Sequence, residues 1–133
     1  MIVADTNLVS DYLTRHDPAR EFLEARESEA WATPSLVVCE SVMGAIHGHI
    51  TGDPADVRTV IRTGFDVLST SEKTVRTATE LQQGLNEGTP LEKTDALIAA
   101  SAREWDATLA TNDNTFWKSA VSERIDVTRY ERS

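Results

Sequence analysis

The chain has 133 residues, 40% hydrophobic and 26% charged, with 22 acidic and 13 basic side chains and a net charge of −9. That is one domain's worth of chain with the apolar content of a globular fold, which excludes a disordered protein. No apolar run approaches the ~18 residues of a membrane span, and a single cysteine, Cys39, excludes a disulfide framework and a multi-cysteine zinc site. The acidic balance argues against a polyanion partner over the whole surface. Ten Arg, only three Lys and many acids also fit a halophilic protein, and in concentrated salt the Debye length falls to about 3 Å and net charge loses its power to exclude RNA.

Taken in chain order, short apolar runs alternate with helical periodicity, which predicts one α/β domain over 1–133 with a mostly parallel sheet. The start, Met1-Ile2-Val3-Ala4-Asp5, has no basic region and meets an acid early, so no secretory signal is expected and a reducing cytoplasm is the natural compartment. Ile2–Ala4 reads as the first strand, with Thr6 and Asn7 capping a helix through Leu13. A second helix is expected over Pro18–Arg26 and a second strand over Ala30–Ala32. Thr33-Pro34 gives a cap followed by proline at the first helical position, opening a helix to about Gly48; Asp53-Pro54 repeats the signal for a helix to Thr63. Phe65–Leu68 is a third strand, and Ser69 with Glu72 has capping-box spacing before a helix that ends near Asn86-Glu87-Gly88. Thr89-Pro90-Leu91-Glu92 opens a further helix to about Trp105. Ala107–Thr111 is a fourth strand, a short helix follows Asn112, and Ile125–Val127 is an edge strand.

Four acids stand where acids need explaining. With Leu36, Met43 and Ile46 taken as the inner side of their helix, Glu40 shares that face; Asp95 shares the face of Leu91, Ile98, Ala99 and Ala102. Asp5 and Asp113 end the first and fourth strands, and ligands of open parallel sheets gather at the carboxyl ends of strands. An acid at a strand end is more often a plain helix cap, whereas an acid on an inner helix face is seldom idle. Gathered in one crevice, such carboxylates repel by about 4 kcal/mol per close pair at 4 Å and an effective dielectric near 20, so a proton or a cation must neutralise them. Oxygen-only ligands suit Mg²⁺ or Mn²⁺ rather than zinc, and such a site can promote in-line attack of water on a phosphodiester. Thr6, Asn7, Thr111 and Asn112 flank the acids and can orient them.

These segments, Ile2-Val3-Ala4-Asp5-Thr6-Asn7, Pro34-Ser35-Leu36-Val37-Val38-Cys39-Glu40 with Gly44, Asp95-Ala96-Leu97-Ile98-Ala99-Ala100, and Ala107-Thr108-Leu109-Ala110-Thr111-Asn112-Asp113 with Phe116, resemble in order and spacing the PIN-domain ribonucleases, in particular VapC-type toxins of toxin–antitoxin pairs. The resemblance runs from the start to about Trp117. It implies a three-layer α/β/α domain with a five-stranded sheet in the order 3-2-1-4-5. It implies Mg²⁺- or Mn²⁺-dependent endonucleolytic cleavage of RNA, with Asp5 and Asp95 as direct metal ligands and Glu40 and Asp113 completing the site directly or through water. It also implies a homodimer and a small antitoxin whose C-terminal tail fills the groove and whose N-terminal part binds DNA. Arg15, Lys93 and Lys118 are candidates to grip RNA at the rim.

Other residues are read as structural. His16, His47 and His49 form no metal-ligand spacing. Cys39 is expected to pack as a small hydrophobe. Trp31 and Trp105 are expected in the core, leaving Trp117 as the exposed one. No phosphate-cradling glycine loop or serine triad occurs. A catalytically silent PIN-like binding module would lack one of the acids. A receiver domain would need an Asp ending the third strand, and a haloacid-dehalogenase-like phosphatase would need an acid where Asn7 stands; both fall behind.

Overall fold

The computed structural model describes residues 1–85 and 91–131, apart from the side chain of Ser119. Five strands, β1 (Ile2–Ala4), β2 (Trp31–Pro34), β3 (Asp66–Leu68), β4 (Thr108–Thr111) and β5 (Asp126–Arg129), form a sheet in the order β3-β2-β1-β4-β5 with every pair parallel. Ile2 registers with Trp31 on one side and Thr108 on the other, so β1 is the centre. Parallel neighbours need crossovers, and the helices supply them: α1 (Thr6–Leu13), α2 (Asp17–Glu24), α3 (Ser35–Ile46), α4 (Pro54–Gly64), α5 (Glu72–Gly84), α6 (Lys93–Glu104) and two short turns, α7 (Asn114–Trp117) and α8 (Ser119–Ser122). Right-handed crossovers place α1, α2 and α4 on one face and α5 and α6 on the other, and the observed contacts of α1 with α2 and α4, and of α5 with α6, follow that division. Helix α3 touches both α1 and α6.

β1 is a fully buried apolar run and β4 is buried from Leu109 to Thr111, as expected of a sheet covered on both faces. A row of aromatic edges runs Tyr130, Phe22, Trp31, Phe65, Tyr12, with ring centroids 5.3, 6.2, 6.2 and 5.4 Å apart. Between α5 and α6 the contact is made by alanines, Ala78, Ala96 and Ala100. Helix α3 stops in a Schellman geometry: Gly48 takes φ +79, His49 N–H donates to the Gly44 carbonyl at 2.8 Å and Gly48 N–H to that of Ala45 at 3.3 Å. The returning chain lays Ile50 where a side chain on Gly44 would sit, with its Cδ1 at 3.1 Å.

Several caps differ from the sequence reading. Asp5, not Thr6 or Asn7, caps α1, its carboxylate accepting from Leu8 N–H at 3.2 Å. Thr33 does not cap α3: it stays in β2 and its hydroxyl donates to the Ala4 carbonyl at 2.9 Å, while Pro34 closes the strand in register with Leu68. The box that opens α5 is Ser71 with Thr74, two residues beyond Ser69. Helix α6 begins at Lys93, with Glu92 in the cap position making no side-chain cap; Thr89 and Pro90, and the helix stop at Asn86–Gly88, lie outside the described residues.

Candidate active site at the carboxyl edge

All five strands run the same way, so their carboxyl ends share one edge of the molecule. Asp5 follows β1 directly and Asp113 follows β4 after Asn112, and each caps the next helix; Asp113 accepts from Thr115 N–H at 2.9 Å. Asp95 lies in the first turn of α6, which returns antiparallel to β4 and therefore starts at that same edge. Glu40 lies in the second turn of α3, which leaves β2 there.

Asp5 is buried, and both its oxygens are held: one by Leu8 N–H, the other by the hydroxyl of fully buried Thr111. Burial pushes its carboxyl up to about 6; the Thr111 and Leu8 donors oppose the shift and the Asp113 charge adds to it. Asp95 is half-buried and also raised, first by desolvation and then by the charges of Asp113, Glu40 and Glu92. This repulsion ties the four acids together: Asp113 acts on both Asp5 and Asp95, and Glu40 acts on Asp95. Glu92 is a fifth acid that the sequence reading treated only as a cap; its place three residues before Asp95, at the cap of the same helix, was the available signal.

The supporting residues are at hand. Thr6 Oγ1 donates to Glu40 Oε2 at 2.9 Å, and Glu40 Oε1 is buried without a hydrogen-bond partner among the described residues. Asn7 Nδ2 donates to Asn112 Oδ1 at 2.7 Å, bridging the ends of β1 and β4. Thr111 Oγ1 accepts from Asp113 N–H at 3.0 Å, so one hydroxyl links Asp5 to Asp113. As the side chains stand, no three acidic, histidine or cysteine residues among the described ones converge closely enough to hold an ion. The donor chemistry nevertheless fits a hard divalent cation: the donors are all oxygen, one carboxylate oxygen is buried and unpartnered, and two carboxylates are held above their usual range by burial and mutual repulsion that a cation would relieve.

Other expectations are corrected. Met43 and Ile46 are 46% and 57% exposed; α3 buries Val37, Val38 and Ser41 instead, and Cys39 is exposed rather than packed. Trp105 is 53% exposed, whereas Trp117 packs on the core. Arg15 lies past the end of α1 opposite Asp5, about 12 Å along that eight-residue helix, and lines a separate groove with Tyr12, His16 and Val57. Lys93 and Lys118 are exposed at the start of α6 and the end of α7.

The molecule is thus a doubly wound parallel α/β domain whose strand ends gather acids. Residues 2–121 match the PIN domain family, and the chain belongs to that family. Comparison with curated proteins gave no match. Among solved structures the chain is similar to one in VapBC2 from Rickettsia felis bound to a DNA fragment from its promoter, with TM-score 0.79 and 22% identity over 98% of this chain and 100% of that one. It is similar to a chain of a toxin–antitoxin complex from Klebsiella pneumoniae, with TM-score 0.78 and 20% identity over all of both chains (100% and 100%). It also resembles a chain of DNA-bound VapBC from Salmonella typhimurium, with TM-score 0.75 and 19% identity over 98% of each. At these identities the likeness is one of fold.

Proposed function

We propose that the chain is a Mg²⁺- or Mn²⁺-dependent endonuclease that hydrolyses RNA phosphodiester bonds, and that it is the toxin of a toxin–antitoxin pair. The observation that carries this reading is the electrostatic coupling of Asp5, Glu40, Asp95 and Asp113 at the sheet's carboxyl edge, in a PIN domain. Asp5 and Asp95 would hold the cation directly, with Glu40 and Asp113 completing its surroundings directly or through water. Bound there, the cation would supply Lewis-acid chemistry, easing ionisation of water and offsetting charge on the phosphate. Thr111 fixes the Asp5 carboxylate and the start of the Asp113 turn; Thr6 fixes one oxygen of Glu40 and leaves the other free. The Asn7–Asn112 pair keeps the two strand ends at a set spacing beside the acids.

The partner is proposed from the same comparisons: the neighbouring structures are complexes of toxins with antitoxins, so a small cognate antitoxin is expected, as is a homodimer working in the cytoplasm. No described helix is long and apolar enough to cross a membrane. The second reading, a silent binding module, draws on the lack of any three converging ligands in the side chains as they stand.

The test is cleavage of RNA by the purified chain with Mg²⁺ or Mn²⁺ across a salt series, beside Asp5→Asn and Asp95→Asn. The nuclease reading requires that wild type cuts, that chelator stops it, and that both variants are folded and inert. Mn²⁺ should also raise the wild-type melting temperature and leave that of Asp95→Asn nearly unmoved. A folded wild type that cuts nothing and gains no stability from either cation would transfer the assignment to the binding module.

A further inference from the structure

A crevice of carboxylates repels the phosphates of the RNA it is proposed to cut, and the protein as a whole carries a net charge of −9. Something near the crevice must hold the strand. We propose that Arg129 lying on Trp117 is that grip, a contact for the phosphates and bases of single-stranded RNA beside the acids; this rests on the nuclease reading above.

Arg129 is the last residue of β5 and registers with Thr111, the residue whose hydroxyl holds Asp5. It therefore stands one strand spacing from Thr111 and about 10 Å, two spacings, from the end of β1. The turn that follows Asp113 ends at Trp117, and the Arg129 guanidinium carbon lies 4.0 Å from the centroid of that indole. The ring is packed on the core, which holds it in place as a platform. The guanidinium lies over the indole, while 61% of the Arg129 side chain stays open to solvent. A guanidinium oriented in this way meets phosphate oxygens with paired donors and stacks on unpaired bases. Its Nε is engaged by exposed Glu131 at 3.3 Å, a contact that RNA would displace. Two other arginines are engaged by near neighbours in sequence: Arg20 pairs with Asp17, and Arg26 covers Phe22.

The experiment measures binding of a short mixed-sequence single-stranded oligoribonucleotide by fluorescence anisotropy in chelator, and its cleavage with Mn²⁺, for wild type, Arg129→Ala, Arg129→Lys and Glu131→Gln. Arg129→Ala should weaken binding and raise KM roughly tenfold with kcat nearly unchanged, and should lower the slope of log K against log salt by about 0.7. Arg129→Lys should restore the salt slope without restoring full affinity. Glu131→Gln, which leaves the fold alone because the side chain is exposed, should bind more tightly than wild type. A wild type that cuts RNA while Arg129→Ala and Glu131→Gln bind and cut as it does overturns the grip and leaves the nuclease standing. A wild type that neither binds nor cuts the oligonucleotide overturns both.

Discussion

At neutral pH the Asp5 carboxylate is ionised in a place that favours its neutral form. Its carboxyl titrates near 6 in the fold against an ordinary 3.8, so the folded state binds this proton more tightly than the unfolded one. The group's contribution is therefore most favourable below about pH 4 and is lost as pH rises through 6, at a cost of about 3 kcal/mol by linkage. In chelator, Asp5→Asn should be more stable than wild type by about 1–3 kcal/mol at pH 7, with the difference vanishing below pH 4. Denaturation curves across that range check it, and an unstabilised variant at pH 7 would mean that Asp5 is better solvated than its burial implies. Sequence made Asp5 and Asp113 visible because each stands just past an apolar strand. Glu40 was singled out through Met43 and Ile46, which turned out to face solvent, so that argument does not survive even though the residue lies beside Thr6. Glu92 was hidden because an acid before a helix reads first as a cap.

Elements here are fastened by a few buried polar ties. The Tyr130 hydroxyl donates to Asp11 Oδ2 at 2.8 Å, both residues buried, joining the chain just after β5 to α1, and Tyr130 N–H donates to the Thr111 carbonyl at 2.9 Å. Tyr130→Phe keeps the ring packing and removes the hydroxyl, and should cost about 1–3 kcal/mol by chemical denaturation. The tryptophans give a contrast between elements. Trp105 at the end of α6 should be quenched readily by acrylamide, and Trp105→Ser should change stability by less than about 0.5 kcal/mol, whereas Trp31 and Trp117 should be shielded. Strand and helix positions were legible because apolar runs, prolines and glycines punctuate the chain. Helix faces were not: α3 reads Ser-Leu-Val-Val-Cys-Glu-Ser-Val-Met-Gly-Ala-Ile, apolar nearly all round, so only its contacts with α1, α4 and α6 decide which side is covered. Caps failed in the same way, because Thr33 and Asp5 each had more than one hydrogen bond to choose from.

For the molecule as a whole, the charge of −9 is spread over a surface on which exposed ion pairs such as Arg20 with Asp17 and Arg129 with Glu131 join near neighbours in sequence, while the amino group of Met1 reaches Glu29 at 3.8 Å. Such exposed pairs do little against long-range repulsion. Raising NaCl from low ionic strength to about 1 M, where the Debye length is about 3 Å, should raise the melting temperature; a flat or falling curve would remove the case for a protein suited to strong salt. Strand order is also a property of this scale. Alternating strands and helices predicted a parallel sheet, but no local pattern says that β1 lies between β2 and β4, and that order came from the resemblance of the four acidic segments.

The central place of β1 has a consequence in time. The contact between Asp5 and Thr111 spans 106 residues and that between Asp11 and Tyr130 spans 119. On the ribosome, the strand that founds the sheet is made first and must wait for its partner β4 until most of the remaining chain has been translated. Pairings of such long range form slowly. A partly made chain carries Asp5 and Glu40 without Asp113 and without the Thr111 hydroxyl that orients Asp5. The crevice is therefore assembled only when β4 docks, and until then its acids belong to separate, unpaired parts of the chain.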